Sequence, residues 1–218
     1  MPKAVDQDEQ RARIVEATWR VIVEEGLDKA TMRRIASRAG CTTGLVTHYF
    51  TSKEDVLLSV VRTISRRARD RHASAREGLT GIAALRSVLL TGLPTDPEHM
   101  DEWKIWFALW NQSITSPVLQ QQWTRRAEGW SGLVRSALVE AIECGEVDAN
   151  IDVDATVEAL AAMNYGLAVT AVLSPSRVEP EAIVEVVDHQ LRLLTPTAGK
   201  SSKRRRGRRT ADVDSVAV

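Results

Sequence analysis

An all-α fold is predicted for this 218-residue chain, and three observations predict it. Apolar residues recur three and four positions apart along most of the length, sustained alternation is scarce, and Gly and Pro fall mostly at breaks between periodic stretches. A composition of 44% hydrophobic residues with 5% aromatics suits a globular core. About nine helices are expected, arranged as an N-terminal three-helix unit containing a helix-turn-helix and a larger C-terminal helical bundle.

The first helix places Ile14, Ala17, Val21 and Ile22 on one face, and Gly26 after Glu24-Glu25 is its stop. Thr31 is the N-cap of a short helix from Met32 to Ala39, with Ile35, Ala36 and Ala39 inward and Arg33, Arg34 and Arg38 outward. Gly40 ends it. Thr42 caps a second short helix that packs through Leu45, Val46 and Phe50, and Ser52 caps a long one running from Lys53 to about Arg76. Two short helices joined by a few residues around a glycine have the anatomy of a helix-turn-helix. On its second helix Thr42, Thr43, Gly44, Thr47, His48 and Tyr49 offer hydroxyls, an imidazole, a phenol and a closely approachable backbone, all suited to phosphate oxygens and base edges. Lys53 would add a phosphate contact.

Charge sharpens that reading. The 29 basic and 29 acidic residues cancel, yet residues 1–72 carry +4, 73–197 carry −9 and 198–218 carry +5. From Lys29 to Lys53 there are five basic residues, Arg33 among them, and no acidic one, the footprint of a polyanion partner. The basic far end of the long helix, "RRARDRHASAR", is expected to be solvated rather than on DNA. The tail after Thr197 lacks a core-forming pattern; it is expected to be disordered, either solubilising only or adding salt-sensitive DNA association.

"TMRRIASRAGCTTGLVTHYFTSKEDVL" resembles the DNA-binding signature of the tetracycline-repressor (TetR) family: a Thr, Ile-Ala, Ala-Gly, a capping Thr, Gly, an aromatic-rich helix, Phe, and then Lys-Glu. The resemblance implies a homodimeric, usually repressive transcription factor. It would have a head over 1–55, a ligand-binding and dimerisation domain over 56–196 and a basic tail over 197–218. It also implies a palindromic double-stranded DNA operator, a small-molecule effector and no cofactor. DNA contacts carry over to Thr31, Thr42, Thr43, Gly44, Thr47, His48, Tyr49 and Lys53. Thr47 departs from the Tyr that many members have there. "GLVTHYFTSKE" is closest to the choline-responsive, BetI-like branch.

Five of the six tryptophans lie between residues 103 and 130. Trp103, Trp106 and Trp110 share a helix face with Phe107 beside them and Asn111 following, and Trp123 and Trp130 share a face of the next helix. Such stripes form core or, with Asn164 and Tyr165 nearby, line an effector pocket; both readings stand. In the branch that the chain resembles, an aromatic cage would hold a quaternary ammonium. Two helices, about Asp152 to Leu173 and Glu179 to Leu194, close the fold, and the small residues of the first suit a four-helix dimer interface.

Other classes fit less well. Four scattered histidines and no zinc, phosphate-loop or nucleophile motif argue against an enzyme and against a metal site. A purely architectural DNA-binding protein leaves an acidic, Trp-rich body unexplained. Cys41 and Cys144 have no disulfide or metal spacing, and no apolar leader or run of about 18 apolar residues is seen, so a cytoplasmic, non-membrane protein is expected.

Overall fold

A computed structural model describes residues 2–196, with side chains from Gln7 onward; the basic tail lies outside the described residues. Nine α-helices and no strand occur among the described residues. They are α1 (Pro2–Glu25), α2 (Met32–Ala39), α3 (Thr43–Tyr49), α4 (Lys53–Arg76), α5 (Gly81–Thr91), α6 (Pro97–Ser113), α7 (Pro117–Glu143), α8 (Val153–Leu173) and α9 (Pro180–Leu194), with a 3₁₀ turn at Leu27–Lys29.

Local chemistry sets the first four helices. Thr31 Oγ1 accepts from the Arg34 amide at 3.2 Å, Thr42 Oγ1 from Leu45 at 3.2 Å and Ser52 Oγ from Asp55 at 3.2 Å. Each hydroxyl satisfies one amide that the first turn leaves open. Gly40 closes α2 at φ 65°, where a Cβ would find room but an L side chain would be strained, so the glycine is required by conformation. Cationic side chains finish the job at carbonyl ends. Arg13 donates to Ala39 O at 3.0 Å, Arg11 to Tyr49 O at 3.2 Å, and Lys53 Nζ to Leu27 O at 2.9 Å.

Ile14, Val21, Ile35, Val46, Phe50, Val56 and Leu57 form the buried centre of this head. Arg11 also lies over the Phe50 ring, 4.5 Å from its centre. α4 then leaves the head and packs along α5 and α7. In the body α5 is central, packed by α7, α4 and α9, with Leu85, Val88 and Leu89 buried; α8 covers α7 and α6.

Three expectations change. The acid-free basic run is partly neutralised from outside itself, because Arg34 forks onto Glu25 and Arg38 onto Glu24, both at the end of α1. Arg33 and Lys29 remain exposed. The far end of α4 is solvated on one face, where Arg66 and Arg69 are exposed, and laced on the other: Arg67 meets Glu98 at 3.1 Å, Arg71 grips Glu102 at 2.6 and 2.8 Å, and Arg76 meets Glu140 at 2.9 Å. Its arginines recur on the face turned to α6 and α7, which periodic counting alone could not pair with carboxylates some 30 to 60 residues away. Finally, α8 is by length and composition apolar enough to cross a membrane. Its small and branched residues raise its hydropathy, while Val157, Leu160, Asn164, Ala168 and Ala171 pack into the bundle.

Glu102 is almost fully buried and its fork with Arg71 is the most enclosed ion pair of the body. Removing one partner strands a buried charge. Glu102→Ala is therefore expected to lower the unfolding free energy by about 3 kcal/mol in urea denaturation, and a loss below about 1 kcal/mol would contradict the burial argument.

Candidate nucleic-acid interface and aromatic effector site

On the head, Thr31, Arg33, Thr42, Thr43, Gly44, Thr47 and His48 are exposed, whereas Tyr49 and Lys53 are half-buried. The helix-turn-helix brings them to α2, α3 and the start of α4. The capping oxygens of Thr31 and Thr42 accept from the backbone, which leaves each O–H free to donate to an outside acceptor such as phosphate. Thr47 Oγ1 donates back to Thr43 O at 3.2 Å and Gly44 O at 3.1 Å, so its proton is shared with its own helix. Tyr49 meets His48 edge to face at 5.2 Å, which fixes both rings. Lys53 spends one of its protons on Leu27 O. A Cβ built on Gly44 would meet only Thr42 Oγ1 at 3.8 Å, an ordinary contact. Nothing inside the protein demands glycine there.

The second constellation lies in the body. Trp103 and Trp106 of α6 and Trp130 of α7 are buried, and Phe107, Trp110, Trp123 and Tyr165 are half-buried against them. Their rings form one contiguous set: Trp103 to Phe107 at 5.4 Å, Phe107 to Trp110 at 4.5 Å, Trp110 to Trp123 at 5.0 Å and Trp123 to Trp106 at 5.6 Å. Tyr165 of α8 touches Trp103, Trp123 and Trp130 at 6.2, 5.6 and 6.3 Å. Two residues grouped with them by sequence stand apart. Asn111 is exposed, and buried Asn164 is occupied in tying α8 to α5, donating to Leu89 O at 3.0 Å.

A residue that sequence reasoning missed sits in the middle. The Arg126 guanidinium carbon lies 5.0 Å from the ring centres of both Trp103 and Trp106 and 5.6 Å from that of Trp123. Its signal was available: Arg126 is three residues after Trp123 and four before Trp130, hence on their face of α7. Burial pushes its pKa below the ordinary range, opposed by Tyr165 and Glu102 and assisted by Arg71. Trp130 is held by close backbone approach, since a Cβ on Gly92 would come within 2.9 Å of its Nε1. Trp103 Nε1 donates to Gly92 O at 3.1 Å.

Beside this layer α4 and α7 enclose a cleft of about 420 Å³ whose lining includes His72, Arg126, Trp130 and Leu133. Thr91 Oγ1 donates to Ser87 O at 2.8 Å, so His72 Nδ1, 2.7 Å away, donates to Thr91 and its Nε2 is the free acceptor. Burial, then Arg71, Arg126 and His99, lower the His72 pKa to about 4.

The fold is that of a helix-turn-helix regulator whose body holds a separate aromatic layer. Comparison with known proteins identifies the family. Residues 14–60 match the model of bacterial regulatory proteins of the tetR family, and residues 81–196 match the BetI-type transcriptional repressor C-terminal model. The chain is 31% identical to the HTH-type transcriptional regulator PksA of Bacillus subtilis over 86% of its length and 90% of the relative's. It is 35% identical to BetI of Escherichia coli over 58% of its length and 68% of the relative's. A transcriptional regulator from Saccharomonospora viridis, solved in complex with choline, superposes with a TM-score of 0.80 at 22% identity, covering 85% of this chain and 96% of that one. This chain belongs to the TetR family: it is a DNA-binding transcriptional regulator with a BetI-type C-terminal domain, not an enzyme.

His72 gives the site a pH signature. Its pKa in the folded chain lies below the unfolded value near 6.5, so between about 4 and 6.5 the unfolded chain binds the extra proton. Its contribution to stability is present above about pH 6.5 and is lost as the pH falls toward 4, by up to about 3 kcal/mol. His72→Gln is expected to flatten that part of the stability-against-pH curve; a slope identical to that of the parent would contradict the assignment.

Proposed function

We propose that the chain is a homodimeric repressor that reads a palindromic operator through α3 and is released when a small molecule enters the aromatic layer. The observation that carries the first half is the exposed face of α3. Thr43, Gly44, Thr47 and His48 lie there without a carboxylate, next to exposed Arg33 and the donating caps Thr31 and Thr42. Such a face can enter the major groove while the caps and Arg33 contact phosphates. Lys53, tied to Leu27, keeps two protons for the same purpose. One short helix reads too few base pairs to be selective, so two copies are needed.

The pairing surface is proposed on α8 and α9. Ala155, Ala159, Ala162 and Gly166 are exposed at spacings of three and four along α8, ending at exposed Leu173; on α9 Val186 and Leu193 are exposed. Small residues permit close helix approach, and a two-fold axis would join these faces to themselves. Residues 1–55 then act as the reading head and 56–196 as the sensor and dimer body, working in the cytoplasm where the DNA is. α4 links the two. Coupling is supported by Ser116, in the α6–α7 turn, which donates to Glu54 Oε1 at 2.8 Å at the start of α4, and by Arg71, which reaches the residue next to Trp103. An effector releases DNA only by its differential affinity for two arrangements of this link.

Gly44→Ala separates reading from folding. Since the protein has room for the methyl group, stability should hold or rise by up to about 1 kcal/mol, while operator affinity falls about tenfold in a gel-shift titration. Unchanged affinity would remove Gly44 from the groove. Thr43→Ala should change base preference, whereas Arg33→Ala should weaken all sequences alike and reduce the salt slope by about one. Equal losses on every sequence for Thr43→Ala would count against its reading role.

A further inference from the structure

The aromatic set has the geometry of a cation cage, and the chain's own cation already fills it. Three indole faces surround the Arg126 guanidinium, on the side where a quaternary ammonium would have to sit. No carboxylate forms an ion pair with it among the described residues. The nearest candidate, Glu102, has both oxygens engaged by Arg71, and Arg126 makes no ion pair or hydrogen bond among the described residues.

Several buried N–H donors around it lack acceptors. Arg126 Nε, Trp106 Nε1, Trp110 Nε1 and Trp130 Nε1 are buried N–H groups without partners among the described residues, and Tyr165 Oη is equally unengaged. Buried donors without acceptors are costly, and four in one contiguous set call for a partner that accepts. Arg126 and Trp130 also line the neighbouring cleft, together with Arg69, Arg125 and His72, and no acidic side chain lines it. Arg69 and Arg125 are free of ion pairs among the described residues. The rest of that lining, Leu133 included, is mostly apolar, and about 420 Å³ is the size of a small-ligand pocket.

We propose that the effector is an organic anion, a carboxylate or phosphate carried on an apolar chain or ring. It is bound in the α4–α7 cleft with its charged end on Arg126. Arg126 is thus both the anion's partner and the internal occupant that excludes quaternary ammonium ions from the tryptophan cage. A guanidinium stacked between indoles keeps its N–H edge available, so the rings hold the plane while the edge presents paired donors to the anion. Entry of the anion between α4 and α7 acts on the helix that carries the head. This assignment rests on the effector-release reading above and names its ligand class.

The test is a tryptophan-fluorescence titration of the full chain with octanoate, octyl phosphate, octan-1-ol and choline, each repeated as a gel shift on the operator. The parent chain is expected to bind octanoate or octyl phosphate, the tighter of the two identifying the head group, and to ignore choline. Octan-1-ol should bind at least tenfold more weakly than the better anion. Arg126→Met, which keeps the stem, should lose the anion about tenfold or more, and Arg126→Lys, which keeps the charge without the paired donors, should bind it more weakly than the parent and more tightly than Arg126→Met. Arg126→Ala should open the cage and acquire choline binding that the parent lacks. The proposal is overturned if the parent binds choline, if octan-1-ol matches the anions, if Arg126→Met binds the anion unchanged, or if no probe binds. Anion binding that leaves operator affinity untouched would keep the anion site and defeat the effector-release reading instead.

Discussion

The helix that joins head and body, α4, is fastened at both ends. At its start, Ser52 caps it, Lys53 ties it to Leu27, and Val56, Leu57 and Val60 bury it in the head. At its far end, the Arg71–Glu102 fork fixes it to the helix that carries Trp103 and Trp106. The whole of α4, twenty-four residues of uninterrupted helix, contains neither Gly nor Pro. A displacement at one end therefore has no soft joint in which to be absorbed.

The body is built around chemistry that does not complete itself. Glu102 and Arg71 neutralise one another, Asn164 is satisfied by α5 and Trp103 by Gly92, while Arg71 Nε and His99 Nε2 are buried without partners among the described residues. The other such groups concentrate around Arg126. Relatives in the family include transcriptional regulators named BetI, and a regulator of the same fold is known in complex with choline. In this chain the aromatic layer of α6, α7 and α8 encloses the guanidinium of Arg126. On the proposal above, that internal cation would turn the preference of the site from cations to anions, so that one fold could serve chemically opposite effectors.

Local features were legible in the sequence because their causes are local. Thr31, Thr42 and Ser52 cap the helices that their position before an apolar period implies, and Gly40 ends α2 for a conformational reason that composition reveals. The tryptophan faces of α6 and α7 follow from spacing alone. Long-range pairings were not legible. Glu24 and Glu25 neutralise Arg38 and Arg34 because the 3₁₀ turn folds α2 back beside α1, and no one-dimensional count of charge anticipates that. Arg126 looked like its neighbour Arg125, yet one is enclosed by three indoles and the other is exposed. Only the register against Trp123 and Trp130 distinguishes them in sequence.

Coupling between head and aromatic layer is the central claim, and thermodynamic reciprocity allows it to be tested without knowing the effector: if the layer changes operator affinity, the operator must change the layer. Hydrogen exchange of the full chain, with and without its footprinted operator, measures this directly. Protection is expected across residues 42–53 and also in the second half of α4 and in α6 around Trp103 and Trp106. Protection confined to the head, with exchange in α6 and the far end of α4 unaltered, would contradict the account.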